Sequence, residues 1–499
     1  MEISMYRREF ITRSAAALGM AALGNYGILS PSIAAASQQK PFSERLRIPP
    51  LLEKSGTATD MSRLSLVVQK GEHQFFNSGS TETLGYNGSF LGPTIRVRNK
   101  DKVRLQVQNS IDQITTVHWH GLHVPARWDG GPHQVIEPGE LWKPEFTINQ
   151  QAATLWYHPH AMGLTGEHVY RGLAGLFIIE DEISEALALP RNYGVDDIPL
   201  IVQDRRFFED RSFAYVRSMH DIMHGVLGNF LLVNGGHKPY VELPRGIVRF
   251  RVLNGSNSSI YRFYLSDDQR FQVIASDGGF LAEPVGVQEL ILSAGERAEI
   301  LFDTGAYSPG DRLRLMVDQY SGNTYEALEL LVSDEKAVQT EVVSRLREQT
   351  RLEESRADRS RYFAMETMSP RGRGMGMMGA NRLAINGKKM DMQRIDVTIP
   401  LGSTEIWEVE NRSGTMMQLP HSMHLHDVQF NILDRNGTFP EPVESGRKDT
   451  VLLWPNDKVR LIAQFRDYTG IYMFHCHMLE HEDDGMMGQF EVVDQGGRT

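Results

Sequence analysis

Four His-x-His pairs, His118/His120, His158/His160, His424/His426 and His475/His477, constrain this chain more than any other feature. In an extended strand, residues i and i+2 point to one face and residue i+1 to the other. Each pair on a strand therefore offers two imidazoles to the same side. The 17 histidines in 499 residues would give roughly 0.6 such pairs by chance. The pairs are flanked by Trp, Pro, Leu and Cys rather than set in a polyhistidine tract. Imidazole is a common transition-metal ligand. The pattern predicts strands that carry distant parts of the chain to one metal cluster.

The rest of the sequence supplies such strands. Thr94–Arg98, Lys102–Val107, Val248–Leu253 and Thr404–Val409 alternate apolar and polar residues with a period of two. The best helical pattern is the charged stretch Ala337–Arg356, expected to be a linker helix. A phrase recurs three times. Asn87-Gly88, Asn234-Gly235 and Asn386-Gly387 each lead into strands that end at Asn109, Asn254 and Asn411. Asn-Gly is a common tight-turn signal, but three copies a domain length apart indicate a repeated unit. The class is all-β. Three β-sandwich domains are expected near 45–183, 195–334 and 381–495, joined by a charged, then Gly/Met-rich connector at 335–380.

The single cysteine, Cys476, lies in His475-Cys476-His477-Met478-Leu479-Glu480-His481-Glu482-Asp483-Asp484-Gly485-Met486. On a strand, its thiol faces away from His475 and His477. It can thus serve one metal while its neighbours serve others. A Cys thiolate with two His and a weak Met makes a blue-copper electron-transfer site.

His118-Trp119-His120-Gly121, His158-Pro159-His160, His421-Ser422-Met423-His424-Leu425-His426 and the His475–Met486 string together resemble the motifs of the multicopper oxidase family, from about residue 85 to 493. The resemblance implies three consecutive cupredoxin-like Greek-key domains and four copper ions. It assigns Cys476, His421, His481 and axial Met486 to a type 1 copper, and His118 and His424 to a type 2 copper. It assigns His120, His158, His160, His426, His475 and His477 to a type 3 pair. The cluster is then expected between the first and third domains, with the middle domain a spacer. Asp129, in Trp128-Asp129-Gly130-Gly131, matches the family's proton-donating acid, and Glu482 matches a second acid of proton supply. A turn-forming Asp and a surface Glu are the alternatives. The implied reaction couples one-electron oxidation of a small donor to reduction of O2 to water.

The donor is left open. Met365, Met368, Met375, Met377 and Met378 precede the third domain, and Met416 and Met417 precede His421. Thioethers favour Cu(I), and the family's cuprous oxidases carry a Met-rich insert. The same stretch also reads as a Gly-rich connector with incidental Met. Laccase-like oxidation of phenols or aromatic amines and bilirubin-oxidase-like oxidation of tetrapyrroles are the alternatives. Some relatives have lost the copper ligands and act as non-enzymatic envelope or division proteins, whereas every expected ligand is present here. His220 and His224, spaced i and i+4, read as a lone solvated or structural pair.

Arg7-Arg8-Glu9-Phe10-Ile11, an apolar stretch from Ala15 to Ile33, and Ala34-Ala35-Ala36 resemble a twin-arginine signal over residues 1–36. Export to a periplasm or cell surface is expected, with no membrane span and a monomeric state. The net charge of -11 argues against nucleic acid as a partner and against an anionic membrane surface.

Overall fold

The computed structural model describes residues 41–54, 61–367, 383–412 and 417–494. Residues 1–36, the expected signal, lie outside them. The strands form six sheets, stacked in pairs as three sandwiches. In the first, Thr81–Tyr86, Ser62–His73, Lys102–Asn109 and Leu141–Trp142 pair in that order, with Glu145–Thr147 also on Lys102–Asn109. The facing sheet runs Ile95–Arg98, Gly175–Glu180, Ala153–His158, His118–His120. The alternation read from the sequence sets the core: Leu64, Leu66, Val103, Leu105 and Val107 are buried against Leu155 and Phe177 of the facing sheet. The second sandwich has six strands facing five, and the third has five facing five.

The repeated phrase has a structural cause. Asn87, Asn234 and Asn386 adopt left-handed conformations with φ of 54°, 49° and 53°, which Asn tolerates better than most residues. Each side-chain oxygen accepts from a backbone N–H of its sandwich: Val67 at 2.6 Å, Ile201 at 2.7 Å and Ala364 at 2.7 Å. Asn109, Asn254 and Asn411 are buried, and each amide bridges two backbone carbonyls. Those carbonyls belong to Gln113 and Ile136, Ser259 and Leu292, and Leu419 and Leu453. The strand that carries each of these Asn residues at or next to its end pairs in parallel with the first strand of its sandwich.

That equivalence corrects the expected connector. Arg359–Thr367, placed in it by sequence, pairs in parallel with Thr404–Arg412 inside the third sandwich. The third unit therefore begins near 359 rather than 381. The linker helix over Ala337–Arg356 is also absent. Only Glu354–Arg356 forms a 3-10 turn. Val338 and Val342, which would share a face at i and i+4, are exposed, so no packed apolar face holds a helix here. The segment is instead an extended strap. Ala337 N–H donates to Arg245 (2.8 Å) and Leu346 N–H to Ala282 (2.9 Å) on the second sandwich. Arg347 pairs with Asp181 of the first, and Arg351 donates to the Ser445 carbonyl of the third (3.2 Å).

A buried ionic network ties the first sandwich to the second. Arg251 donates to Asp197 (2.7 and 3.0 Å) and Glu299 (3.1 Å) in its own sandwich. It also donates to Thr154 (2.9 Å) and Glu180 (3.3 Å) in the first. Removing one partner of such a network strands the remaining charges. The Arg251→Ala substitution is expected to lower unfolding free energy by about 3–5 kcal/mol, read from chemical denaturation, whereas an unchanged midpoint would show that the network contributes no stability.

Candidate metal centre

Strand register builds the site. His118–His120 pairs antiparallel with Ala153–His158, setting His118 opposite His158 and His120 opposite Trp156. In the third sandwich, His421–Leu425 lies beside Gly470–Cys476, setting His424 opposite His475 and Met423 opposite Cys476. The two strand pairs meet face to face, and all eight histidines of the His-x-His motifs are buried between them. The tight turn bearing Asp129 is closed by Gly130, whose left-handed φ of 80° and contact with the Val117 carbonyl leave no room for a side chain.

The imidazoles converge in groups. The Nε2 atoms of His160, His426 and His475 lie 3.1–3.2 Å apart, so one ion can sit about 2 Å from each, the usual metal–imidazole distance. His120 turns Nδ1 toward His158 Nε2 (3.4 Å), because its own Nε2 is held by Asp449 (3.0 Å). His118 and His424 direct Nδ1–H at the backbone carbonyls of Asp129 and Asp449, both at 2.9 Å. That leaves Nε2 of His118 and His424 buried without a hydrogen-bond partner, as are both ring nitrogens of His477. An unsatisfied buried polar group costs about 1–3 kcal/mol. Neutral lone pairs aimed at a shared space are what a metal requires, so these orphaned nitrogens fit the copper that the sequence implies.

On the opposite face of Gly470–Cys476, Cys476 Sγ lies 3.6 Å from Nδ1 of both His421 and His481. Those two nitrogens are 3.2 Å apart. Their far edges are fixed: His421 Nε2 by the Thr367 hydroxyl (3.1 Å) and His481 Nε2 by the Met223 carbonyl (3.0 Å). Met486 is buried, and its carbonyl accepts from Cys476 N–H (3.0 Å). The structure thus gathers Cys476, His421 and His481 at one centre, with Met486 buried next to the Cys476 backbone, and the eight paired histidines at another.

Burial sets the electrostatics. It holds His118, His120, His421, His424, His426 and His477 well below the usual imidazole range, His158 near about 3, and His160 and His481 near about 4. All are therefore neutral and able to act as ligands. Burial also pushes the Cys476 thiol up to about 12, so its ionisation needs a bound cation. Two acids flank the cluster with opposite tendencies. Asp129 accepts from His426 Nδ1 (2.7 Å), and burial, with the nearby Asp427 charge, raises its carboxyl well above the usual range. Glu482 lies 3.3 Å from His160 Nδ1 and 3.1 Å from His475 Nδ1. Burial opposes its ionisation, but His160 and His475 draw it below the usual range. It is fully buried, so the surface-Glu alternative does not hold.

The methionines part company. Met365 is a core residue of the third sandwich, because strand alternation turns it inward among Leu383, Ile385 and Val409; it is not available to a solvent-borne ion. Met417 is half-buried against the same core. Met368, Met375, Met377, Met378 and Met416 lie outside the described residues.

The middle sandwich is more than the expected spacer. Its Arg297 donates to both oxygens of Asp449 (2.7 and 2.6 Å), the carboxylate that holds His120. Ser293 bonds Ser422 (2.8 Å), and Asn257 donates to Glu480 (2.9 Å) in the His475–Met486 string. Its helix Met219–His224 caps His481 through the Met223 carbonyl. Sequence reasoning missed Asp449 and Arg297, which belong to no spaced motif. It also missed Asp427, a buried residue at φ 67° that takes His123 Nδ1 (2.8 Å).

Two multicopper oxidase family models match residues 67–184 and 360–496. A multicopper oxidase of Staphylococcus aureus is 36% identical over 448 residues, 90% of this chain and 92% of its own length. A cell division protein FtsP of Escherichia coli is 36% identical over 505 residues, 98% of this chain and 99% of its own. Among solved structures, a laccase from Pediococcus acidilactici is similar at a TM-score of 0.83 and 35% identity, covering 92% of this chain and 96% of that one. The laccase-like multicopper oxidase CueO of Ochrobactrum sp. is similar at 0.81 and 38%, covering 90% and 100%.

Groups behind a metal ligand typically change metal affinity by about 10–100-fold when replaced. Asp449→Asn is expected to weaken copper retention at the histidine cluster by about that factor in competition with a chelator, while the blue absorption from Cys476 persists. Loss of the blue absorption with full retention at the cluster would refute this role.

Proposed function

Because the chain belongs to the multicopper oxidase family, we propose that it is an oxidase coupling one-electron oxidation of a small reducing donor to the four-electron reduction of O2 to water. The observation that carries this reading is the complete donor set: three converging Nε2 atoms 3.1–3.2 Å apart, and Cys476 Sγ equidistant from two Nδ1 atoms. In this reading four copper ions are held. A type 1 ion takes Cys476, His421, His481 and Met486, a type 2 ion takes His118 and His424, and a type 3 pair takes His120, His158, His160, His426, His475 and His477. When bound, the first would accept single electrons and the other three would supply the reduction of O2.

The chain's own residues then have definite tasks. Cys476 and its neighbours His475 and His477 form the covalent link between the two ligand sets. Asp449 and Arg297 hold His120 with Nδ1 facing inward. Asp129, 2.7 Å from His426 Nδ1 and pushed by burial toward its protonated form, is the reserve from which a proton can be given. Glu482, touching His160 and His475 from the other side, is the second proton-handling carboxylate.

For the donor, Cu(I) and phenols or aromatic amines are the favoured classes, and a tetrapyrrole is the alternative. His421 and His481 are buried, and their outer edges are engaged by Thr367 and Met223. A small donor is therefore favoured over a bulky one. We further infer export by the twin-arginine signal to a periplasm or cell surface. Among the described residues, no helix is long and apolar enough to cross a membrane. A non-enzymatic role in cell division is the second reading, favoured by the match to FtsP over nearly the whole of both chains. The intact ligand set argues for the oxidase.

Copper analysis with oxygen uptake separates the two: about four ions per chain and donor-dependent uptake support the oxidase, while a copper-free chain without uptake supports the division protein. Asp129→Asn should keep the blue absorption and lower oxygen uptake about 100-fold or more, and uptake equal to the parent at every pH would remove Asp129 from the proton route.

A further inference from the structure

The middle sandwich brings a second set of metal-binding side chains to the Cys476 centre. Helix Met219–His224 packs on helix Leu479–Asp483, which carries His481. The helix is anchored from behind: Asp221 is buried and paired with Arg206 at 2.9 Å. Met219, His220, Met223 and His224 occupy positions that share one arc of roughly 140° on a 3.6-residue helix. Met223 turns inward and its carbonyl caps His481 Nε2 at 3.0 Å, whereas Met219 and His220 are exposed and His224 is half-buried.

His220 and His224 stack with ring centroids 4.2 Å apart and planes 22° apart. Among the described residues, neither ring has a hydrogen-bond or ion-pair partner. Two imidazoles in contact cannot both be protonated cheaply. Burial and the His220 ring hold His224 near about 4. A pair of imidazoles at i and i+4 on one helical face is a two-point metal ligand, and Met219, exposed one residue before His220, carries a thioether that suits a soft ion.

We propose that His220 and His224 form a labile metal site at the entrance to the Cys476 centre, where an ionic one-electron donor is held during transfer. This role rests on the oxidase reading. One electron leaves a bound Cu(I), which becomes Cu(II) and departs, and the electron is accepted at the Cys476 centre. The route is short: from His224 along one peptide unit to the Met223 carbonyl, across its hydrogen bond to His481 Nε2, and through that ring to the centre.

The test uses the full copper-loaded chain and redox-inert Zn(II) as the probe. Calorimetric titration should find one more Zn(II) bound by the parent than by the His220→Ala/His224→Ala variant. The ratio of Cu(I)-driven to phenol-driven oxygen uptake should fall about tenfold or more in that variant. Zn(II) should depress Cu(I)-driven uptake in the parent only. Equal Zn(II) binding by parent and variant overturns the site. A Zn(II) difference with an unchanged donor ratio overturns the electron-entry role. A Zn(II) difference in a chain that consumes no O2 with either donor leaves the site standing and sinks the oxidase reading on which its role depends.

Discussion

Eight imidazoles buried between two β-sandwiches are the constraint on which the rest of this structure depends. In water each would be solvated, and below pH 6.5 increasingly protonated. At the interface they are buried and partly without partners. That arrangement is costly to fold unless an ion takes the lone pairs. Its precision follows from backbone geometry. Strand register sets His118 opposite His158 and His424 opposite His475, and the alternation along Gly470–Cys476 divides the thiol from its flanking rings.

The remaining architecture holds the two halves of the cluster in place. The middle sandwich donates no ligand, yet it reaches both centres. Arg297 fixes Asp449 and through it His120, and the Met223 carbonyl orients His481. Lys448 is buried with Asp277 (2.8 Å) and Glu296 (3.1 Å) across the same boundary. Buried ion pairs of this kind add little net stability over apolar packing, but the loss of one member is severe. They therefore fix the relative placement of the sandwiches, which sub-ångström ligand geometry requires. The strap over residues 337–353, with contacts to all three units, serves the same end.

Much of this was legible in the sequence because its signals are local. His-x-His, the Cys-centred string and the Asn-Gly turns each encode one strand or turn, and strand periodicity converts them into faces. What was not legible depends on contacts between distant segments. Asp449 and Arg297 are separated by 152 residues and carry no spacing rule. The sequence reading made Ala337–Arg356 a linker helix because it carries the best helical period, but Val338 and Val342 on one face of that helix are exposed. Met365 looked like a copper-facing thioether until strand alternation turned it into the core. The helix Met219–His224 gave a His pair without a context, and only its packing on Leu479–Asp483 supplied one.

On the proposed function, the buried histidines assemble one cluster able to deliver four electrons to a single O2. The most direct measurement is the stoichiometry of turnover: oxygen consumed against one-electron donor oxidised, with hydrogen peroxide assayed in parallel. Four donor equivalents per O2 and no free peroxide are expected. Two equivalents per O2 with peroxide released, from a chain carrying its full copper complement, would contradict it.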